Sequence, residues 1–231
     1  MKYQTIKKGV FVSRPNRFIA KVNIDSKEET VHVKNTGRCR ELLVSGATVY
    51  LEYIDSPHRK TQYDLIAVEK IGKNNQKLLI NMDSQIPNFA VEEFLKKGNI
   101  FSLNSLIKRE VTYRDSRFDI YVEDANRKAF VEVKGVTLER DGIALFPDAP
   151  TARGIKHIKD LIAAKKEGYE AFIFFVIQMK GVHSFSPNAQ MQPEFALALN
   201  EAAKTGIEIL AYDCIVTKES IEIDKKVSVN L

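Results

Sequence analysis

The chain has 231 residues with a hydrophobic fraction of 44%, enough for one large domain or two small ones around packed cores. No apolar stretch approaches the length of a bilayer span and the opening MKYQTIKKGVF lacks a secretory h-region, so a cytoplasmic protein without a membrane partner is expected. Cys39 and Cys214 stand far apart with no C-x-x-C spacing, which argues against a disulfide framework or a structural zinc site. The formal charge of +5 suits a polyanionic partner but does not identify one.

From Gly9 to Val68 the pattern is β-like. VFVSR, RFIAKVNI, ETVHVKN, ATVYLEYI and YDLIAVEKI alternate or run apolar between polar turns. Five short strands without a long helix predict a small barrel of the OB type, with an SH3-like barrel or a meander as alternatives, ending near residue 82. DSQIPNFA, residues 83–90, reads as a connection. VEEFLKKG then reads as a helix closed by Gly98, followed by three strands in SLIKREVTYRD, RFDIYVED and KAFVEVKGV.

APTARGIKHIKDLIAAKKEG is expected to be a helix opened around Thr151 and closed by Gly168. YEAFIFFVIQ is apolar enough for a strand covered on both faces, PEFALALNEAAKTG is a further helix and IEILAYDCIV a further strand. The tail EIDKKVSVNL is expected to add a last strand to either part. The fold class is therefore α/β, α+β overall: a small OB-like barrel over residues 1–82, then a mixed-sheet α/β domain over 83–231.

Within FVEVKGVTL, residues 130–138, Glu132 and Lys134 share one face of a strand. If the turn EDANRK closes symmetrically about Ala125 and Asn126, Asp119 falls opposite Glu132 and Arg117 opposite Lys134. Opposed carboxylates repel and weaken a sheet. A divalent cation removes that conflict, because carboxylate oxygens are what Mg²⁺ or Mn²⁺ takes alongside water and phosphate. Lys134 is then placed to orient a water or to stabilise charge in phosphodiester hydrolysis. An E-x-K pair alone also describes a solvated ion pair, and a one-residue slip would turn Asp119 to the other face.

SRFDIYVED, then AFVEVKGVTLERDGIALFPDAPTARGIKHIKDL, together with HVKNTGRCRELLVSGATVYL, resembles the sugar fermentation stimulation protein A family over essentially the whole chain. The resemblance rests on N-T-G-R, E-V-K-G-V-T and F-P-D-A-x-T-x-R-G-x-K-H. It implies an OB-like N-terminal domain and a restriction-endonuclease-like C-terminal domain of the PD-(D/E)xK type. Within that pattern Asp119 matches the first acid, Glu132 the second and Lys134 the lysine. Glu110 is a candidate third metal ligand, as a third acid often serves in this fold. The family has been described both as nucleases and as DNA-binding regulators linked to sugar metabolism. The expected function is a metal-dependent nuclease acting on DNA, with RNA as second candidate. The alternative is a non-catalytic regulator.

Arg153 and His157 lie four apart on one helical face and are expected at the scissile or an adjacent phosphate, with Asp148 positioning the helix start. Gln178, at the end of its strand, is expected beside Lys134, and Arg117 on phosphate or on Asp119. In the barrel, Asn35 and Thr36 form a turn followed by Arg38 and Arg40, which with Arg14 and Arg17 suit a phosphate backbone. Phe11, Phe18 and Tyr50 are either stacking faces or core. A homodimer is compatible with the fold, since many such nucleases dimerise to cut both strands.

Overall fold

The computed structural model of the chain describes residues 2–35, 37–72 and 77–231. All five predicted N-terminal strands form: β1 (Thr5–Asn16), β2 (Ile19–Ile24), β3 (Lys27–Val33), β4 (Thr48–Tyr53) and β5 (Tyr63–Ile71). They pair in the order β3-β2-β1-β4-β5, and a short parallel contact of β3 on β5 at His32↔Asp64 and Val33↔Leu65 brings the two ends together. The result is ring-like rather than a strictly closed barrel. Alternation explains it: Ala20, Val22 and Ile24, Val31 and Val33, and Val49 and Leu51 point inward and are buried.

A sixth strand, β6 (Lys77–Asn81), extends the sheet beyond β5. Its KLLIN run has no period-2 alternation to announce it. The supposed connection at 83–90 also gives way earlier than expected, to α1 (Ile86–Lys96). Pro87 opens this helix, in the first turn, where a missing N–H removes no bond. Gly98, at φ +80°, closes it in the left-handed region as predicted.

The second sheet runs β15-β14-β12-β9-β8-β7. It comprises β7 (Leu106–Tyr113), β8 (Ser116–Asp124), β9 (Arg127–Val136), β12 (Glu170–Ile177), β14 (Glu208–Val216) and β15 (Ile221–Lys226). The centre, β9, β12 and β14, is parallel, and the flanking pairs are antiparallel. α1 covers one face, packing Val91 and Leu95 with Val131, Phe172 and Phe174. The other face carries α2 (Ala152–Lys166) and α3 (Pro193–Lys204), through Ile158, Leu161 and Phe195 on Phe130, Ile173 and Phe175. Because both faces are covered, β12 is buried along nearly its whole length.

A third sheet escaped the sequence reading. It joins β10 (Leu138–Arg140), β11 (Ile143–Phe146), β13 (Ser184–Pro187) and β16 (Ser228–Val229), pieces too short to show a period. The tail therefore makes two strands, β15 and β16, both in the C-terminal part. Residues 2 and 3 return to it: Lys2 bridges Ser220 and the Tyr3 N–H donates to the Glu219 carbonyl at 2.8 Å.

Polar contacts join the barrel to the C-terminal part and to the segment between them. Lys34 meets Asp83 at 2.7 Å, Lys70 meets Glu139 at 2.5 Å, and the Gln178 side-chain amide donates to the main-chain carbonyls of Asn81 and Asp83 at 3.2 and 3.0 Å.

Candidate metal and nucleic-acid site

β8 and β9 pair from Asp124↔Arg127 to Ile120↔Val131, which is the register of a symmetrical turn at Ala125 and Asn126. Asp119 and Glu132 are the next positions, where the backbone ladder stops. There the Asp119 carboxylate replaces a main-chain partner: its Oδ2 accepts the Val133 N–H at 2.8 Å. Its Oδ1 accepts from the Asn88 Nδ2 of α1, also at 2.8 Å. Asn88 was absent from the sequence expectations because it lay in the supposed connection. The proline start signal at Pro87 would have put it in a first helical turn facing the sheet.

Glu132 is 1% exposed. Its Oε1 accepts from Lys134 Nζ at 2.5 Å and from His157 Nδ1. The Arg153 Nε–H points at His157 Nε2 at 3.4 Å, which favours the tautomer that carries its proton on Nδ1. His157 thus lies behind the acid, in α2 and 6% exposed, rather than out at a phosphate. Glu132 Oε2 is buried and has no hydrogen-bond partner.

Electrostatics separate the two acids. Burial pushes the Asp119 carboxyl up from its ordinary value and the Glu132 charge adds to this, against the Lys134 charge and the Val133 and Asn88 hydrogen bonds. Burial also penalises the Glu132 carboxylate, but His157 and Lys134 outweigh it and hold that group below its ordinary range. An ionised, buried oxygen without a donor is costly. A hard divalent cation shared with Asp119 would satisfy it, so the residues present fit such an ion.

The third acid does not join them. Glu110 faces Asp119 in the β7–β8 register, since Arg109 pairs with Ile120 and Val111 with Phe118, yet its backbone sits at φ +55°. Its side chain is half exposed and meets Arg117 at 3.5 Å. Among the described residues no group of three or more His, Cys, Asp or Glu side chains is gathered for a metal. Arg117 pairs with Glu110 accordingly, not with Asp119.

Gln178 is also placed differently from expectation. It is buried, its Nε2 is committed to the barrel side, and its Oε1 faces Gly135, where an added Cβ would lie 2.5 Å away. Asp148 does not hold the helix start. Thr151 caps α2 by accepting the Gly154 N–H at 2.9 Å, while Asp148 Oδ2 accepts the Arg38 N–H at 3.1 Å. The N-T-G-R and F-P-D-A segments therefore meet in space.

Of the barrel arginines, Arg14 is an organiser of that turn. Its guanidinium donates to the carbonyls of Gly37, Arg38, Arg17 and Asn35 at 2.7–2.9 Å. Arg17, Arg38 and Arg40 are exposed and line one groove of about 400 Å³ with Arg14 and Asn16. Thr36 lies outside the described residues. Phe11 and Tyr50 belong to the cores, with Phe11 3% exposed and the Tyr50 hydroxyl on Glu69, whereas Phe18 is 45% exposed beneath the Arg17 guanidinium. Arg153 is exposed at the first turn of α2.

Comparisons with known proteins agree along the whole chain. Residues 12–75 match the SfsA N-terminal OB domain and residues 85–220 the sugar fermentation stimulation protein RE domain. A sugar fermentation stimulation protein homolog of Desulfitobacterium hafniense is 57% identical over 231 residues, covering all of this chain and 99% of the relative. One of Ruminiclostridium cellulolyticum is 54% identical with full coverage of both. The solved structure of Pyrococcus furiosus SfsA in complex with Ca²⁺ superposes with a TM-score of 0.88 at 30% identity, over 100% of this chain and 98% of that one. The chain belongs to the sugar fermentation stimulation protein family.

Proposed function

We propose that this protein is a divalent-cation-dependent nuclease that hydrolyses phosphodiester bonds of DNA, with RNA as the second candidate, and that its OB domain holds the strand. The observation that carries this reading is Glu132 Oε2, a buried, unpartnered carboxylate oxygen beside a second carboxylate, Asp119. A relative of the same fold binds Ca²⁺, which supports a divalent ion here; we assign Mg²⁺ or Mn²⁺ to the working enzyme.

Asp119 and Glu132 would hold the ion. When bound, it would supply Lewis-acid polarisation of a phosphoryl oxygen and a water of lowered pKa. The chain's own groups do the rest. Asn88 and the Val133 N–H fix the Asp119 rotamer, and His157 with Lys134 fixes Glu132 so that Oε2 stays presented. The Lys134 ammonium offsets negative charge that builds on the phosphoryl group. Arg153, exposed on the same helix as His157, and the Arg17, Arg38 and Arg40 groove hold neighbouring phosphates.

A regulator that binds DNA without cutting is the second reading. It draws on the lack, among the described residues, of a third gathered acid. Cleavage of labelled single-stranded DNA, duplex DNA and RNA with Mg²⁺, Mn²⁺ or EDTA separates the two. Metal-dependent cutting that is lost in Lys134→Ala and Asp119→Asn while binding persists is the expected result. Binding without cutting under any metal would leave the regulator.

A further inference from the structure

We infer that a second cleft, at the junction of barrel and sheet, receives one unpaired, amino-bearing nucleobase carried on the bound strand; this rests on the function proposed above. The cleft holds about 290 Å³ at the junction of barrel and sheet. Leu145, Phe146 and Pro150 form its apolar side, and Asn35, Asp148 and Gln178 its polar side. That volume lies at the small end of ligand pockets, about 300 Å³ upward, and suits a single ring system. Gly135 also lines it, and this residue directly follows Lys134 at the C-terminal end of parallel strands, where open α/β sheets take ligands.

Two glycines bound the space. A Cβ on Gly135 would stand 2.5 Å from Gln178 Oε1, and one on Gly37 would stand 2.5 Å from Asp148 Oδ2. The polar groups are already partly oriented. Asn35 Oδ1 accepts the Gly37 N–H at 2.8 Å, which leaves its Nδ2 as a donor. Gln178 Nε2 is committed to Asn81 and Asp83, so Oε1 is its cleft-side acceptor. Asp148 Oδ2 takes the Arg38 N–H, and Oδ1 remains a second acceptor.

Two acceptors, one of them anionic, repel phosphate and seek N–H donors, so this cleft is no backbone subsite. A neutral flat ring with an exocyclic amine meets both its apolar and its polar wall. Adenine, cytosine and guanine carry that amine, and thymine does not. In a duplex the same edge is occupied by pairing, which restricts the cleft to unpaired bases. Gly37 lines both this cleft and the arginine groove, so a strand whose phosphates lie in the groove can place a base here.

The test uses the full chain in EDTA, titrated with short single strands that carry 2-aminopurine among thymines, with all-thymine strands, with the duplex, and with free adenosine. The expected result is a fluorescence change in the single strand only, tighter binding than the all-thymine strand, and no displacement by adenosine at matched concentration. Leu145→Trp, which fills the cleft, should weaken the 2-aminopurine strand roughly tenfold and leave the all-thymine strand unchanged. Asp148→Asn, which replaces an acceptor by a donor, should shift the preference towards thymine.

Equal binding of both strands by the wild type, or indifference of the preference to both variants, would overturn the cleft assignment. So would displacement by adenosine, which would make this a free-nucleoside site. Mn²⁺-dependent cleavage without base preference would sink the cleft and leave the nuclease. A base preference lost in Leu145→Trp, without cleavage by any form, would do the reverse.

Discussion

Replacing Glu132 by Gln leaves the Lys134 ammonium and His157 facing a neutral amide in a site where the Glu132 and Lys134 side chains are 2% and 15% exposed. Removing one partner of a buried charged pair costs about 3–5 kcal/mol. Calorimetry should therefore show Glu132→Gln melting at least roughly 6 °C below wild type; a shift within error would mean that Lys134 finds another partner. His157→Ala should weaken Mn²⁺ binding about 10–100-fold, as outer-shell changes do. His157→Asn, whose amide can stand where Nδ1 stood, should recover most of that loss in the same titration. The acids also set a metal-free pH response of opposite signs. Glu132, held low, contributes stability above the ordinary glutamate range that is lost as pH falls through its depressed value. Asp119, held high, costs stability above its raised value, and that cost is relieved as pH falls through it. Asp119→Asn should therefore remove that relief from an acid titration followed by denaturant midpoint. Equal curves for the two proteins would contradict the assignment. Asp119, Glu132 and Lys134 could be read from sequence because one symmetrical turn fixes their mutual face. The inward role of His157 could not, since helical spacing gives a face but not what lies against it.

Strand β9 carries Glu132 and Lys134 on one face and packing on the other, so its end tolerates little. At Gly135 a Cβ would meet Pro87 Cγ at 2.9 Å as well as Gln178 Oε1 at 2.5 Å. α1 or the end of β12 would have to move, and overpacking of this kind costs about 1–3 kcal/mol. Gly135→Ala should accordingly lower the urea midpoint and reduce metal affinity together, because α1 also carries Asn88 to Asp119. A stable variant with full metal affinity would show that the contact relaxes freely. Caps and periods made most elements legible: Thr151 and Gly168 for α2, Gly98 for α1, and alternation for the barrel strands. What stayed hidden had no local signal. β6, β10, β11, β13 and β16 span two to five residues each and are set by pairing with distant partners.

At the scale of the whole molecule, charge is directed by position rather than amount. The net +5 is modest, but Arg17, Arg38 and Arg40 share one groove. Each arginine removed from phosphate contact should reduce the slope of log affinity against log salt by about 0.7 for single strands and about 0.9 for duplex. Arg38→Ala with Arg40→Ala should therefore change the slope by roughly twice that amount, measured by anisotropy over a salt series; an unchanged slope would place the strand elsewhere. That the barrel leans on the sheet through Gln178 and Asn81 was not readable, because the partners are 97 residues apart and each is an ordinary strand-end amide. The clasp of residues 2 and 3 on 219 and 220 has a consequence for biosynthesis. At translation rates of about 5–20 residues per second, the barrel strands leave the ribosome on the order of 10 s before their clasp partner exists. A nascent barrel must then wait with its first residues unfastened, and a ribosome that stalls late would release a chain whose barrel strands are complete while the sheet that should hold its first residues is not.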